Sequence, residues 1–282
     1  MQKSKLSLIA AMVIFGTIGL LRRYIDLPSS FIALARAVIG TVFLLGVAAL
    51  GKKKPDWTGI RKNALPLLLS GAFLGFNWVF LFESYRYTSV ATATLCYYMA
   101  PILVILASPL LKEKLSPKKL LCVAGALAGI VLVSGVADSG FDAGSVPGIL
   151  FGLAAALFYA CVMLLNKKIT LASAYDKTVV QLSVAAAVLL PYVLLSEDVS
   201  AASFTPVSTL LLITAGILHT GIAYALYFGA MGHLPAQTVA LYSYIDPVLA
   251  IVISAALLGE PMTPFSAAGA VLILGAAFFS EK

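Results

Sequence analysis

Apolar runs long enough to cross a lipid bilayer follow one another along almost the whole chain, and no other feature restricts its fold as much. Read between basic residues and Pro/Gly punctuation, ten such runs fall near residues 5–21, 28–50, 64–84, 88–111, 119–136, 147–165, 177–196, 207–229, 235–258 and 264–280. A helix needs about 20 apolar residues to cross a hydrocarbon core roughly 30 Å thick. Hydrophobic residues make up 61% of the 282, charged residues only 11%, and the mean hydropathy is +1.01, so little sequence is left for a soluble domain. Barrel strands would be shorter and would alternate apolar with polar residues, which these runs do not. The expected class is all-α and integral to the membrane, with ten transmembrane helices.

The charges sort by loop. Lys3, Lys5, Lys52, Lys53, Lys54, Arg61, Lys62, Lys112, Lys114, Lys118, Lys119, Lys167, Lys168, Lys177 and Lys282 fall at one set of ends. The alternate ends carry Arg22, Arg23 and Arg86 together with Asp138, Asp142, Glu197 and Asp198. The positive-inside rule then places both termini in the cytoplasm. A net charge of +7 is thereby a topology signal, and no nucleic-acid partner is expected. Residues 1–21 start like a signal peptide, but Arg22-Arg23 follows without a small-residue cleavage site, so a retained first helix is expected. Cys96, Cys122 and Cys161 are odd in number and lie in apolar runs, which implies neither a disulfide nor a metal cluster.

The chain repeats itself. GFNWVFLFESYRYTSVATATLCYYMAP, from residue 75, meets GIAYALYFGAMGHLPAQTVALYSYIDP, from residue 221, at constant offset, matching Gly75 with Gly221, Trp78 with Tyr224, Phe82 with Phe228, Thr92 with Thr238, Leu95 with Leu241, Tyr98 with Tyr244 and Pro101 with Pro247. After one inserted residue KEKLSP meets GEPMTP. The division is residues 1–138 and 139–282, each with five helices. Five is odd, so the second copy enters the membrane from the opposite side and the halves are inverted. Inverted repeats are typical of secondary transporters with a midplane site exposed to each side in turn.

The blocks YRYTSVATATLCYYMAPILVILASPLLKEKLSP and HLPAQTVALYSYIDPVLAIVISAALLGEPMTP resemble the paired signatures of the EamA family, within the drug/metabolite transporter (DMT) superfamily. The resemblance covers essentially the whole chain as two EamA units, and Arg36 in LARAVIG falls where that family often has an arginine on its second helix. It implies a multi-pass transporter of the bacterial inner (plasma) membrane, commonly an exporter of small metabolites, amino acids or toxic organic compounds. No cofactor is implied, and a homodimer is left open. Glu83 stands where the family commonly has a small residue.

Ionisable side chains inside a bilayer cost about 2.5 kcal/mol or more and normally face a cavity or a partner. Asp246, about eleven residues into a helix beginning at Pro235, lies about 16 Å deep, at the bilayer centre. It reads as a carboxylate that binds a proton or a cationic substrate, or else as a neutral or paired Asp tying two helices together near the break made by Pro247. His219 reaches similar depth in the eighth run and suits a proton relay beside Asp246; a neutral imidazole bonded to a helix carbonyl is the plain alternative. Glu83 and Arg36 belong to the outer half, as an extracellular gate or a static ion pair, with Arg86 as a simpler partner for Glu83 three residues on.

Helical phase sorts the tyrosines. Tyr242 is four residues before Asp246 and shares its face, whereas Tyr244 points nearly opposite. By the same count Tyr97 leans toward the face of Ala100, the counterpart of Asp246. Tyr97 and Tyr242 are therefore expected to line a cavity, with Trp78, Tyr224 and Tyr227 as further candidates and Tyr98 and Tyr244 as packing residues. Such rings can hold an organic cation or stack on an aromatic solute. Gly71/Gly75, Gly125/Gly129 and Gly148/Gly152 let helices approach closely.

No phosphate-binding lysine loop, zinc-protease helix or serine elbow is present. An intramembrane enzyme would show a facing catalytic dyad, and a channel would favour rings of like residues. The expectation is thus a secondary transporter, not an enzyme, moving a small organic metabolite such as an amino acid, an organic cation or a drug-like compound. Proton-coupled export is the first expectation for it, and import on the same scaffold the second.

Overall fold

A computed structural model describes residues 2–52, 54–88, 93, 96–133, 146–170, 173–197, 204–258 and 264–281. Asp138, Asp142, Asp198, Lys53, Lys282, Thr92, Leu95 and the boundary at 138/139 lie outside the described residues. Among the described residues there is no strand. In chain order the helices are α1 (Gln2–Gly16), α2 (Ile18–Arg23), α3 (Ser29–Leu50), α4 (Trp57–Lys62), α5 (Ala64–Tyr87), α6 (Ala100–Ala107), α7 (Pro117–Val133), α8 (Val146–Lys168), α9 (Ala174–Ser196), α10 (Pro206–Gly216), α11 (Ala223–Met231), α12 (Ala236–Tyr242), α13 (Ile245–Leu258) and α14 (Pro264–Glu281). A 3-10 turn, Ser108–Leu111, extends α6, and a π-helical turn, Ile217–Ile222, joins α10 to α11.

Five helical stretches among the described residues are long and apolar enough to cross a membrane: Ser29–Leu50, Ala64–Tyr87, Val146–Lys168, Ala174–Ser196 and Pro206–Met231. The other expected runs are shorter or interrupted. The first is broken at Thr17, between α1 and α2, and the ninth at Ser243-Tyr244, between α12 and α13. In the fourth, Tyr98 and Met99 form a turn ahead of α6. Proline explains where α6 and α13 begin. Pro101 and Pro247 each sit in the first helical turn, where a missing N–H costs nothing and a fixed φ suits the helix.

Apolar side chains cover both inside and outside. Val42, Leu68, Leu121, Leu194 and Val271 are exposed, as helices facing lipid require. The interior instead holds polar residues that bond one another. Asn166 on α8 donates to Ser70 on α5 at 3.0 Å and to the Val162 carbonyl at 2.9 Å, and Gln181 on α9 donates to Asn166 at 3.0 Å. Close approach makes that clamp reachable: a Cβ on Gly71 would lie 2.8 Å from the Gln181 carbonyl, and one on Gly75 2.7 Å from Val188 Cβ.

The packing partners fall into matched pairs. Helix α5 packs on α8 and α11 on α1; α1 packs on α13 and α8 on α6; α9 packs on α5 and α3 on α10. Three further contacts, α3 with α9, α6 with α12 and α7 with α14, lie between elements at equivalent places in the two sequence halves. The largest buried core gathers where these pairs meet, around Trp78, Tyr224, Tyr227, Phe228 and Tyr244.

Candidate substrate site

The breaks before α6 and α13 are joined. Tyr98 stands in the turn ahead of α6, whose first ladder bond runs from Leu103 N–H to the Met99 carbonyl. The Tyr98 carbonyl takes a hydrogen bond from the Tyr244 hydroxyl at 3.0 Å, and the two rings lie 6.3 Å apart.

Asp246 occupies the first turn of α13, where a carboxylate faces the positive end of the helix dipole. It borders a cavity of about 30 Å³ lined by Met12, Phe15, Tyr97, Tyr98, Pro101, Tyr159 and Ser243, room for about two water molecules. The Tyr98 side chain is its polar neighbour at the cavity. Around it the rings form a connected wall. Tyr97 stacks on Tyr159 with centroids 5.4 Å apart and planes 15° apart, and the Tyr159 hydroxyl donates to that of Tyr227 at 2.8 Å. Phe15 meets Tyr224 edge-on at 5.0 Å, and Trp78 meets Tyr224 at 6.0 Å.

Counting 100° per residue from Tyr242 to Asp246 assumes an unbroken helix, and Ser243 and Tyr244 form a turn. Tyr98 and Tyr242 both pack against the apolar core, and of the two it is Tyr98 that also borders this cavity. Tyr159 and Ser243 were not singled out in the sequence. Tyr159 lies in a run, ALFYACVM, whose composition resembles any buried helix.

His219 also lies elsewhere. It sits in the π turn with 1% exposure, and its Nε2 is 2.8 Å from the Thr17 hydroxyl at the break in the first run. That hydroxyl gives its proton to the Ile14 carbonyl at 2.7 Å, so Nε2 is the donor. Nδ1 is buried with no hydrogen-bond partner among the described residues. Its charged neighbour is Arg36, not Asp246.

Arg36 and Glu83 do not pair; of the two partners left open for Glu83, Arg86 is the one it meets. Glu83 faces Arg86 at 3.4 Å and accepts from the Tyr192 hydroxyl, and Arg86 continues to Glu197 at 3.2 Å. These three charges lie at the helix ends, which is why the local i,i+3 partner wins. Arg36 lies lower on α3 and donates from Nε to the Thr220 hydroxyl at 3.0 Å. It lines a larger cavity of about 600 Å³ with Ile18, Leu21, Ile32, Leu81, Phe82 and Tyr85.

Hydrogen bonds tie elements together at the lysine-rich end. Glu113 caps α12, accepting from the N–H groups of Ala236 at 2.7 Å and Gln237 at 3.3 Å. Lys119 donates to the Gln237 amide oxygen, the Gln237 amide donates to Ser108, and Lys167 reaches the Leu234 carbonyl.

Known proteins share this fold. The model of the EamA-like transporter family matches residues 2–135 and again 146–281. An uncharacterized transporter of Bacillus subtilis (strain 168), YxxF, is 32% identical over 95% of this chain and 86% of its own length. An uncharacterized transporter of Archaeoglobus fulgidus is 26% identical over 97% of this chain and 94% of its own. A solved crystal structure superposes with a TM-score of 0.83 at 21% identity, over 99% of this chain and 96% of that one, a likeness of fold.

Proposed function

The chain belongs to the EamA-like transporter family, hence to the DMT superfamily of multi-pass membrane transporters, and from that premise we propose a proton-coupled carrier that exports a small organic metabolite by alternating access. The observation that carries the reading is Asp246 in the first turn of a helix that starts at mid-run, walled by Tyr97, Tyr98, Tyr159, Tyr224 and Tyr227. Interrupted helices put a dipole end and unladdered backbone at a midplane site. Rings around a carboxylate suit an organic cation or a proton in its place.

Ten spans as two inverted five-helix units, with both termini cytoplasmic, follow from the odd repeat and the lysine distribution. The matched packing pairs and the double match of the family model support that arrangement. On this topology the lining residues Leu21, Ile25 and Ser29 put the 600 Å³ cavity on the outer side, and the Glu113–Gln237 contacts lie on the cytoplasmic side, which supports reading this state as outward-facing. Release of Glu113 from α12 is then the step that admits solute from the cytoplasm. Asp246 exchanges its proton for solute or lets the empty carrier return, while His219 serves the Arg36 side of the site.

Purified protein in proteoliposomes tests this. With quaternary ammonium compounds, polyamines and amino acids as solutes and internal pH recorded, saturable counterflow with opposed proton movement is expected. Flux that never saturates would make the protein a channel, and saturable flux without proton movement would remove the coupling.

A further inference from the structure

Pro101 and Pro247 stand at matching places in the two halves, and each lacks the N–H that would bind the carbonyl four residues earlier. Those carbonyls belong to Tyr97 and Ser243, themselves a matched pair. No other backbone N–H among the described residues binds either of them. Tyr97 and Ser243 both line the cavity that Asp246 borders. The neighbouring Tyr98 carbonyl, by contrast, is taken by the Tyr244 hydroxyl at 3.0 Å.

A carbonyl at membrane depth without a donor is costly until something electropositive meets it. The side chains around these two offer lone pairs as well. Ser243 gives its hydroxyl proton to the Val239 carbonyl at 2.9 Å, which leaves its oxygen as an acceptor. Asp246 adds a carboxylate, and none of the residues lining the cavity is a Lys, Arg or His. Helix α12 ends at Tyr242, so the negative pole of its dipole lies at this break and offsets the positive pole of α13.

Oxygen donors of this kind suit a hard cation. Asp246 is the single acid lining the cavity, and no group of three or more His, Cys, Asp or Glu side chains that could hold a metal ion occurs among the described residues. That favours one positive charge over two. In this conformation a space of about 30 Å³ accepts a bare ion with a water molecule and is too small for an organic ammonium group with its substituents.

Resting on the carrier reading above, we propose that the Asp246 cavity is a sodium site, with Na⁺ held by the Asp246 carboxylate, the Ser243 hydroxyl and the freed carbonyls of Tyr97 and Ser243. Interrupted helices can coordinate Na⁺ through unwound carbonyls in this way. Each proline frees one ligand, from opposite halves of the chain. Na⁺ and the proton are then alternative occupants of one carboxylate.

The full chain in nanodiscs, with NaCl exchanged for KCl or choline chloride at constant ionic strength, tests the site. Na⁺ is expected to raise Tm with a saturable dependence on concentration, as a ligand of the folded state does, and K⁺ and choline are not. Calorimetry with NaCl should show affinity lost in Asp246→Asn, several-fold weaker in Ser243→Ala and recovered in Ser243→Thr. Pro247→Ala returns an N–H to the Ser243 carbonyl and should weaken Na⁺ several-fold too. Equal effects of the three salts, no effect of any, full affinity in Asp246→Asn, or unchanged affinity in both Ser243→Ala and Pro247→Ala overturns the site. Solute counterflow in liposomes reads the carrier separately. Saturable counterflow with proton movement but no Na⁺ binding would sink the sodium site and leave the carrier standing, whereas Na⁺ binding without counterflow of any solute would do the reverse.

Discussion

The Tyr244 hydroxyl donates to the Tyr98 carbonyl at 3.0 Å, tying the turn before α6 to the turn before α13. Tyr244 is fully buried, so removing its hydroxyl leaves a carbonyl without its partner. Tyr244→Phe is expected to destabilise the fold by about 1–3 kcal/mol, seen as a lower Tm in nanodiscs. Tyr98→Phe keeps the carbonyl and its bond but loses the contact with Asp246. It should alter the pH dependence of transport with a smaller loss of stability, and the opposite ranking would contradict the assigned roles.

Asp246→Asn retains the shape of the carboxyl group and cannot ionise. Substrate-driven acidification or alkalinisation of liposomes should disappear while counterflow, which needs no net proton movement, persists at a comparable rate. Full proton flux in this variant would move coupling away from Asp246.

Glu113→Gln weakens the cap on α12 by removing a charge from two N–H contacts of 2.7 and 3.3 Å. A capping loss of about 0.5–2 kcal/mol should shift the carrier toward opening at the lysine-rich end. The check is maleimide labelling of a Ser108→Cys side chain, which is fully buried as serine, read above the background of the three native cysteines. Labelling several-fold faster in the double variant is expected, and an unchanged rate would mean Glu113 does not hold that end shut.

The glycines separate by contact. Gly75→Ala would bring its Cβ within 2.7 Å of Val188 Cβ and 3.0 Å of the Ala185 carbonyl, whereas Gly46→Ala meets nothing within 4 Å. Overpacking costs typically about 1–3 kcal/mol, and an unobstructed helical Gly→Ala gains up to about 1 kcal/mol. Thermal unfolding should therefore fall for Gly75→Ala and stay level or rise for Gly46→Ala.

The helical class was legible in the sequence because apolar period and sparse charge write it directly. Helical phase put Tyr242 and not Tyr98 on the side of Asp246, whereas a two-residue interruption changes phase without changing composition. Of the two partners open to Glu83, Arg86 is the one it meets: depth along separate helices brings Arg36 to the same half, but lateral position is set by packing. His219 was drawn to Asp246 by depth alone, while the break at Thr17, which holds its Nε2, carries no proline to announce it. Tyr159 had no distinguishing signal, since its role comes from stacking on Tyr97 and bonding Tyr227.

The π turn at Ile217–Ile222 contains one residue more than an α-helical path would use. Deleting one residue here would let the helix close an α-helical ladder in place of the bulge. The carbonyl of Ala215, five residues before Thr220, would then no longer be the one its hydroxyl meets, and the lone pair offered to Arg36 would turn away. Length at this point is thus under a stricter constraint than residue type, so a single-codon deletion here should do more harm than most substitutions along the same helix.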